Sequence, residues 1–340
     1  MSPVAGRRAT ADLTPVRALR ALGAASAAFG LCIALPWAVG QACGDRWVWS
    51  QWLYWIPAWS VTAVTACAWL AARRWGAPGP VRRAVLPVLL GAAAWSAARG
   101  ARSDIGWQPF PPAATAPGGL VVTHWNPQWP GERALEVGAS LAPALGDVAI
   151  VTSPGSLLRS AVRREWLPDG YRAVDLGTVA IVSRLPILEA RLVASAAVAS
   201  RSSAWLAWFR VEAPGAGPAI SLLAVDLPSH LFLARGEVAS ALRGMVARAA
   251  LPHAPDVVLG DLNSTPGSEV WREIEGLGVR AAPPWRCHGW LCSYRRPWPL
   301  VRIDAMFAGP RLSWRSWRTL DLGTGNHRAQ QGMLAVGGGG

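Results

Sequence analysis

No charged residue occurs between Arg20 and Asp45, and none between Arg46 and Arg73. In hydrocarbon a backbone must satisfy its own polar groups, so such a run can only be a helix. Ala21–Gly40 and Trp47–Ala72 each exceed the ~20 residues that cross ~30 Å of bilayer core. Trp52, Tyr54, Trp55 and Trp59 near the start of the second run match an aromatic interface belt. A third run, Ala84–Ala98, reaches about 22 Å at ~1.5 Å per residue and spans only if Arg82, Arg83 and Arg99 snorkel. Residues 1–104 are thus expected to form a membrane anchor with two to three transmembrane helices, about 21–40, 47–72 and 84–101.

All 33 basic residues are arginine, which excludes lysine-based covalent chemistry, and the net charge is +13. Of these arginines 11 lie in residues 1–104, against 3 acids, so most of the excess flanks the apolar runs. Arg7, Arg8, Arg17 and Arg20 precede the first run, and Arg73, Arg74, Arg82 and Arg83 separate the second from the third. The positive-inside rule places both groups in the cytoplasm. Three spans put the rest of the chain outside and two leave it inside. The expectation is a multi-pass protein of the cell membrane with its soluble domain on the extracytoplasmic side. Cys287 and Cys292 sit in a Trp-rich loop, where a disulfide, free thiols and a zinc site with His288 are the alternatives.

Residues 105–119, rich in Pro, Ala and Gly, read as a linker to a domain over 120–337. Strands are predicted at Leu120–Trp125, Asp147–Val151, Val179–Val182, Ala204–Val211, Ala219–Leu227, Asp256–Leu262, Arg302–Phe307 and Gly332–Val336. Helices are predicted at Glu132–Leu145, Leu157–Trp166, Leu233–Ala249 and Gly267–Glu275. Two strands meeting at the turn Ala213–Pro218 imply antiparallel pairing. The domain is therefore an α/β sandwich with mixed pairing, not a doubly wound nucleotide-binding sheet.

The chemistry gathers at strand ends. Val257-Val258-Leu259-Gly260 delivers Asp261, and Asn263 follows two residues later, on the same face if the strand continues. Ile303-Asp304 and Asn326-His327 add an acid and a late histidine. An acid, an amide and an acid–histidine pair suit metal-assisted attack on a phosphate ester.

This order of elements and residues resembles the endonuclease/exonuclease/phosphatase superfamily over about residues 118–337. Gly260-Asp261-Leu262-Asn263 is similar to that family's GDFN-type motif, Ile303-Asp304 to its late Ile-Asp pair, and His327 to its terminal histidine. Asn126 matches the early asparagine, and Ser183-Arg184-Leu185-Pro186 the Ser-Arg-x-Pro segment. The resemblance implies a four-layer α/β sandwich with two mixed β-sheets flanked by helices, preceded here by the transmembrane region. It implies that Asp304 orients His327, that Asp261 positions the attacking water and that Asn263 binds the phosphate. Asn126, His124 and Arg184 become substrate-binding candidates, while Asn126, Asp226 and Asn326 become ligands for Mg2+ or Mn2+. His124 either replaces a missing histidine or fills the end of the sheet.

Three departures stand out. The family's glutamate after the second strand is Ser153 here, its histidine near the middle is Asp226, and the acid before the last histidine is Asn326. The implied function is a membrane-tethered, metal-dependent phosphodiesterase whose partners are the lipid bilayer and a phosphate-ester substrate (lipid headgroup, nucleotide or nucleic acid). The alternative is an impaired member that binds a phosphorylated ligand without turnover.

Overall fold

The computed structural model describes residues 14–108, 119–199, 202–214 and 217–336. Arg7, Arg8, most of the expected linker (109–118), part of the expected turn (215 and 216) and residue 337 lie outside them. The chain divides into two compact units, one of residues 1–41 with 56–99 and one of residues 42–55 with 100–340.

The chain opens with helices α1 (Thr14–Cys43), α2 (Val48–Tyr54), α3 (Ala58–Arg74) and α4 (Gly79–Ser103). The α1 and α4 helices are each long and apolar enough to cross a membrane; α2 and α3 qualify only as a pair, bent by 64°. The run 47–72 is therefore not one straight helix. Pro57 explains the break: it has no N–H to continue α2, and it disfavours helical geometry at Ile56 before it. The proline instead caps the start of α3. In the first unit the helices pack through small residues, which lets backbones approach closely. Ala27, Ala68, Ala72 and Leu89 share one buried cluster, and a Cβ on Gly30 would lie 2.7 Å from that of Ala68.

The second unit contains α2 and the remaining elements. These are β1 (Ile105–Trp107), β2 (Gly119–Trp125), α5 (Ala134–Leu141), β3 (Val148–Thr152), α6 (Ser160–Trp166), β4 (Arg172–Asp175) and β5 (Val179–Ser183). Then come β6 (Ile187–Ala199), β7 (Ser202–Val211), β8 (Ile220–Asp226), α7 (Arg235–Ala249), β9 (Val257–Asp261) and α8 (Glu269–Glu275). The chain finishes with β10 (Arg280–Ala281), β11 (Cys287–Trp290), β12 (Asp304–Ala308), β13 (Leu312–Leu320) and β14 (Ala329–Val336). They build an eight-stranded sheet, β1-β11-β13-β14-β2-β3-β5-β4, and a six-stranded sheet, β10-β12-β9-β8-β7-β6. Both are mixed, with β2–β3 and β8–β9 parallel.

Side-chain alternation explains the layering. On β8, Ile220, Leu222 and Ala224 join a core shared with Leu120, Val122 and Ile150 of the larger sheet. Leu223 and Val225 face the other way, against Val238 and Leu242 of α7. On the far side of the larger sheet, Ala149 and Val151 pack on Val137 and Leu141 of α5 and on Trp166 of α6. Helix, sheet, sheet and helix make the four layers. Strands buried on both faces read as continuous apolar runs, which is why β3, β5, β8 and β9 are plain in the sequence.

Differences from the predicted elements have local causes. Ile105–Trp107, expected in the linker, instead forms the edge strand β1 beside β11. Helix α5 is shorter than predicted because Pro143 turns its end into 3-10 geometry. Ser268 caps α8 by accepting a bond from the Trp271 amide at 3.2 Å, so that helix starts two residues late. Cys287 and Cys292 are buried free thiols, and His288 is spent on the carbonyl of Gln108 at 2.7 Å.

Candidate active site

Register places the acids. Asp261 pairs with Asp304 across β9–β12 and with Asp226 across β8–β9. Three carboxylates therefore sit side by side on adjacent strands, about 5 Å apart at Cα. From the facing sheet, Asn126 follows β2 and Ser153 follows β3. Between the two sets lies a pocket of about 770 Å³ lined by Asn126, Ser153, Asp226, Asp261, Asn263 and His327, among others.

Asp304 lies behind His327, fully buried, with Oδ2 accepting from the His327 Nδ1–H at 2.8 Å. The other imidazole nitrogen, Nε2, points to the pocket, 3.9 Å from Asp261 Oδ2 and 3.2 Å from the Gln128 amide nitrogen. The indole of Trp125 donates to the His327 carbonyl at 3.1 Å, and the Tyr294 ring lies 4.9 Å from the imidazole. The backbone N–H groups of Ile303 and Asp304 both donate to the Ser293 hydroxyl. Asp261 accepts from the Asn126 side chain at 2.8 Å and from the Asn263 amide at 3.0 Å. Asn263 sits at φ 45, a left-handed conformation that asparagine tolerates, and its side chain donates to the Leu227 carbonyl.

Burial and crowding set the protonation. Burial, then the charge of Asp304, pushes the Asp261 carboxyl up to about 7. Asp226, under the same burial and facing Asp261 and Asp304, is held well above the usual carboxylate range. Burial works against charge on His327, but Asp304 and then Asp261 outweigh it and raise the imidazole to about 9. Asp304 is also buried, yet the charge and hydrogen bond of His327 keep it low. Asp226 takes a hydrogen bond from Ser153, so a carboxylate on β8 faces the serine where the resemblance leads one to look for glutamate.

Four of the residues singled out in the sequence, Asp261, Asn263, Asp304 and His327, thus come together, with Asn126 and Asp226. Three do not reach the pocket. Arg184 forms an ion pair with Asp147 at 2.5 Å; β5 runs antiparallel to β3, so its end lies beside the start of β3, opposite the site. Asn326 is exposed and reaches only Gln128, to whose side-chain oxygen it donates. His124 is fully buried under the site. Its Nε2 contacts the Thr152 hydroxyl at 3.2 Å and its Nδ1 lies 3.9 Å from Asp304 Oδ1, while burial lowers its pKa to about 4. It is a neutral support for Asp304.

Sequence reasoning missed Gln128 and Ser293, and also Trp55, which lines the pocket. Only Gln128 carried a signal, since Asn126-Pro127-Gln128 ends a strand in a turn. Asn126 Oδ1 accepts the Gln128 N–H at 2.9 Å, which folds that turn back over His327.

The charge pattern makes a stability prediction. Between the unfolded value of 3.8 and about 7, folded Asp261 holds more proton than the unfolded chain, so stability falls as pH rises through that interval. The contribution of His327 is complete below 6.5 and is lost as pH rises through about 9. His124, which burial lowers from 6.5 to about 4, works the other way between those values. With chelator present, the thermal midpoint of the detergent-solubilised chain therefore falls chiefly from about pH 6.5 to pH 9. Asp261→Asn flattens the lower half of that descent. A midpoint that climbs with pH over that range would contradict this electrostatic picture.

No family model matches the chain, and no curated protein matches it. Solved structures do. The chain is similar to a mannosyl-6-phosphatase from Bacteroides thetaiotaomicron at 15% identity and a TM-score of 0.50, over 63% of this chain and 99% of that one. A functionally unknown conserved protein from Enterococcus faecalis gives 11% identity and 0.50, over 64% of this chain and all of that one (100%). An endonuclease/exonuclease/phosphatase family protein from Bacteroides thetaiotaomicron gives 15% and 0.49, over 64% and 95%. At such identities the likeness is one of fold. With two mixed sheets stacked between helices, the second unit shares the fold of the two structures matched at a TM-score of 0.50.

Proposed function

We propose that this chain is a membrane-tethered phosphoesterase that hydrolyses a phosphate ester by attack of water. The observation that carries this reading is the Asp304–His327 pair at 2.8 Å, with the free imidazole nitrogen aimed past Asp261 into the pocket. A phosphoryl group between Asp261 and His327 meets a carboxyl able to take a proton from water and an imidazolium able to neutralise charge on phosphate oxygens. The orientation of His327 is held by Asp304, and that of Asp261 by Asn126 and the Asn263 amide.

Two carboxyls lining one pocket, Asp226 and Asp261, with Asp304 behind them, repel an anionic substrate unless a cation intervenes. The raised pKa of Asp226 and Asp261, set side by side on adjacent strands, marks a deficit of positive charge. Hard oxygen donors of this kind fit Mg2+ or Mn2+. Asp226 and Asp261, with the Asn126 carbonyl, would hold the ion, which supplies charge neutralisation for the phosphate. The binding-only reading rests on Ser153; Asp226 answers it, because it returns a carboxylate to the same pocket.

Three spans and an outward domain are part of this reading. In it the 17-residue α3 crosses by itself, about 25 Å at ~1.5 Å per residue, helped by Arg73 and Arg74 at its end. Helix α2 belongs to the domain's own unit: Gln51 donates to the Leu231 carbonyl at 2.6 Å and Tyr54 to that of Pro266 at 2.8 Å. The loop after the first span and the domain after α4 then share a side, which requires an odd number of crossings. The test uses the full chain in detergent, since a cut at residue 105 removes α2. Bis-nitrophenyl phosphate is hydrolysed with Mg2+ or Mn2+ and not with chelator. Asp226→Asn raises the metal concentration at half-activation by about tenfold, roughly the loss of one ligand or supporting contact. Unchanged metal dependence would remove Asp226 from the cation site.

A further inference from the structure

The segment between the first two spans is an aromatic surface attached to the pocket wall. Trp47, Trp49 and Trp52 on and beside α2 are 47%, 54% and 40% exposed, and Phe232 is 70% exposed. The Trp47 and Trp49 rings stack at 6.0 Å, and Trp52 meets Phe232 at 5.8 Å. Arg46 lies over the Trp47 ring at 5.7 Å. So many exposed aromatics in one place call for an occupant.

Chain connectivity says which. Four residues separate Cys43 from Val48 and three separate Tyr54 from Ala58, a reach of at most about 15 Å from the end of either span. With α1 and α3 in the bilayer, this surface lies at its interface, where indole rings and arginine are favoured. The same surface continues into the pocket. Trp55 and Leu231, neighbours of Trp52 and Phe232 in the chain, line it together with Asp261 and His327. The fully buried Arg235 fixes this wall: its guanidinium lies 5.1 Å from the Trp55 ring centroid and donates to the carbonyls of Pro228 and His230.

We infer that the pocket takes its phosphate ester out of the bilayer. The substrate class is an amphiphile whose apolar part stays in the membrane or runs along Trp55 and Leu231 while its headgroup phosphate reaches Asp261 and His327. The inference rests on the phosphoesterase reading above and narrows it to lipid phosphate esters over soluble ones.

The full chain is reconstituted in phosphatidylcholine vesicles that carry phosphatidic acid and phosphatidylglycerol. Release of water-soluble phosphorus is measured beside hydrolysis of bis-nitrophenyl phosphate in bulk water. The wild type releases phosphorus from the vesicles. In the double variant Trp52→Ser/Phe232→Ser the ratio of lipid to soluble turnover falls about tenfold or more, the size expected from about 1.4 kcal/mol of lost interfacial contact. Soluble hydrolysis without any lipid hydrolysis overturns the inference and leaves the phosphoesterase standing. Equal loss on both substrates in the double variant also overturns it. If neither substrate is hydrolysed, the phosphoesterase reading itself fails and this inference falls with it.

Discussion

His327→Ala and Asp304→Asn each lower kcat/KM for a phosphodiester by roughly 10²–10³-fold, the range for losing one preorganised charge-stabilising group. The double variant loses little more than either single one, because the two residues act as one device. Asp304→Asn keeps the shape of the buried side chain and removes only its charge. His327 then loses the main influence that raises it to about 9, so the residual activity shifts its pH profile towards acid. His327→Ala abolishes that limb of the profile altogether. Circular dichroism of both variants separates loss of chemistry from loss of fold, which matters because both side chains are buried. Near-normal turnover in His327→Ala would leave the pocket without its acid–base group and end the hydrolytic reading.

What could be read in advance depended on how each residue carries its information. Strands β3, β5, β8 and β9 are apolar on both faces and announce themselves. Their ends gave Asp226 and Asp261, and register then set these beside Asp304. Strand β6 is alanine-rich, pairs only with β7, and shifts register at three places. Its residues have weak strand propensity, and each bulge breaks the period of two. Strand β13 puts Ser313, Arg315 and Arg318 among its apolar residues, with a bulge between Trp314 and Ser316, so it too looked like loop. Arg184 was placed in the site because Ser183-Arg184-Leu185-Pro186 resembles a Ser-Arg-x-Pro segment, but strand direction decides which end of the sheet a residue reaches, and direction is not written in the strand itself. The tryptophans at the start of the run 47–72 were read as the belt of a span. Trp52 belongs to α2, Trp55 ends it and Trp59 lies in the first turn of α3; Pro57, visible in the run, was the sign that a helix would stop there.

Gly260→Ala abolishes the folded domain or costs at least about 3 kcal/mol, a large share of the ~5–15 kcal/mol that holds a domain together. Gly260 has φ +153, and a Cβ built on it would fall 1.7 Å from the Val225 carbonyl oxygen and 2.7 Å from its carbon. Both obstacles are backbone of the neighbouring parallel strand, so no rotamer change relieves them. Gly278→Ala is the control. It also has positive φ (+86) but meets nothing within 4 Å, so its cost is conformational, about 1 kcal/mol. Chemical denaturation of the two variants separates steric exclusion from simple loss of glycine freedom; equal costs would refute the packing argument. The consequence reaches the chemistry because Asp261 is the next residue. Any shift of β9 away from β8 that makes room for a methyl group moves Asp261 away from Asp226 and presses it towards Asp304. A Gly260→Ala protein that still folds should therefore lose activity out of proportion to its loss of stability. The same close approach of β8 and β9 that excludes a side chain at 260 is what sets Asp261 beside Asp226, with Asp304 on its other side.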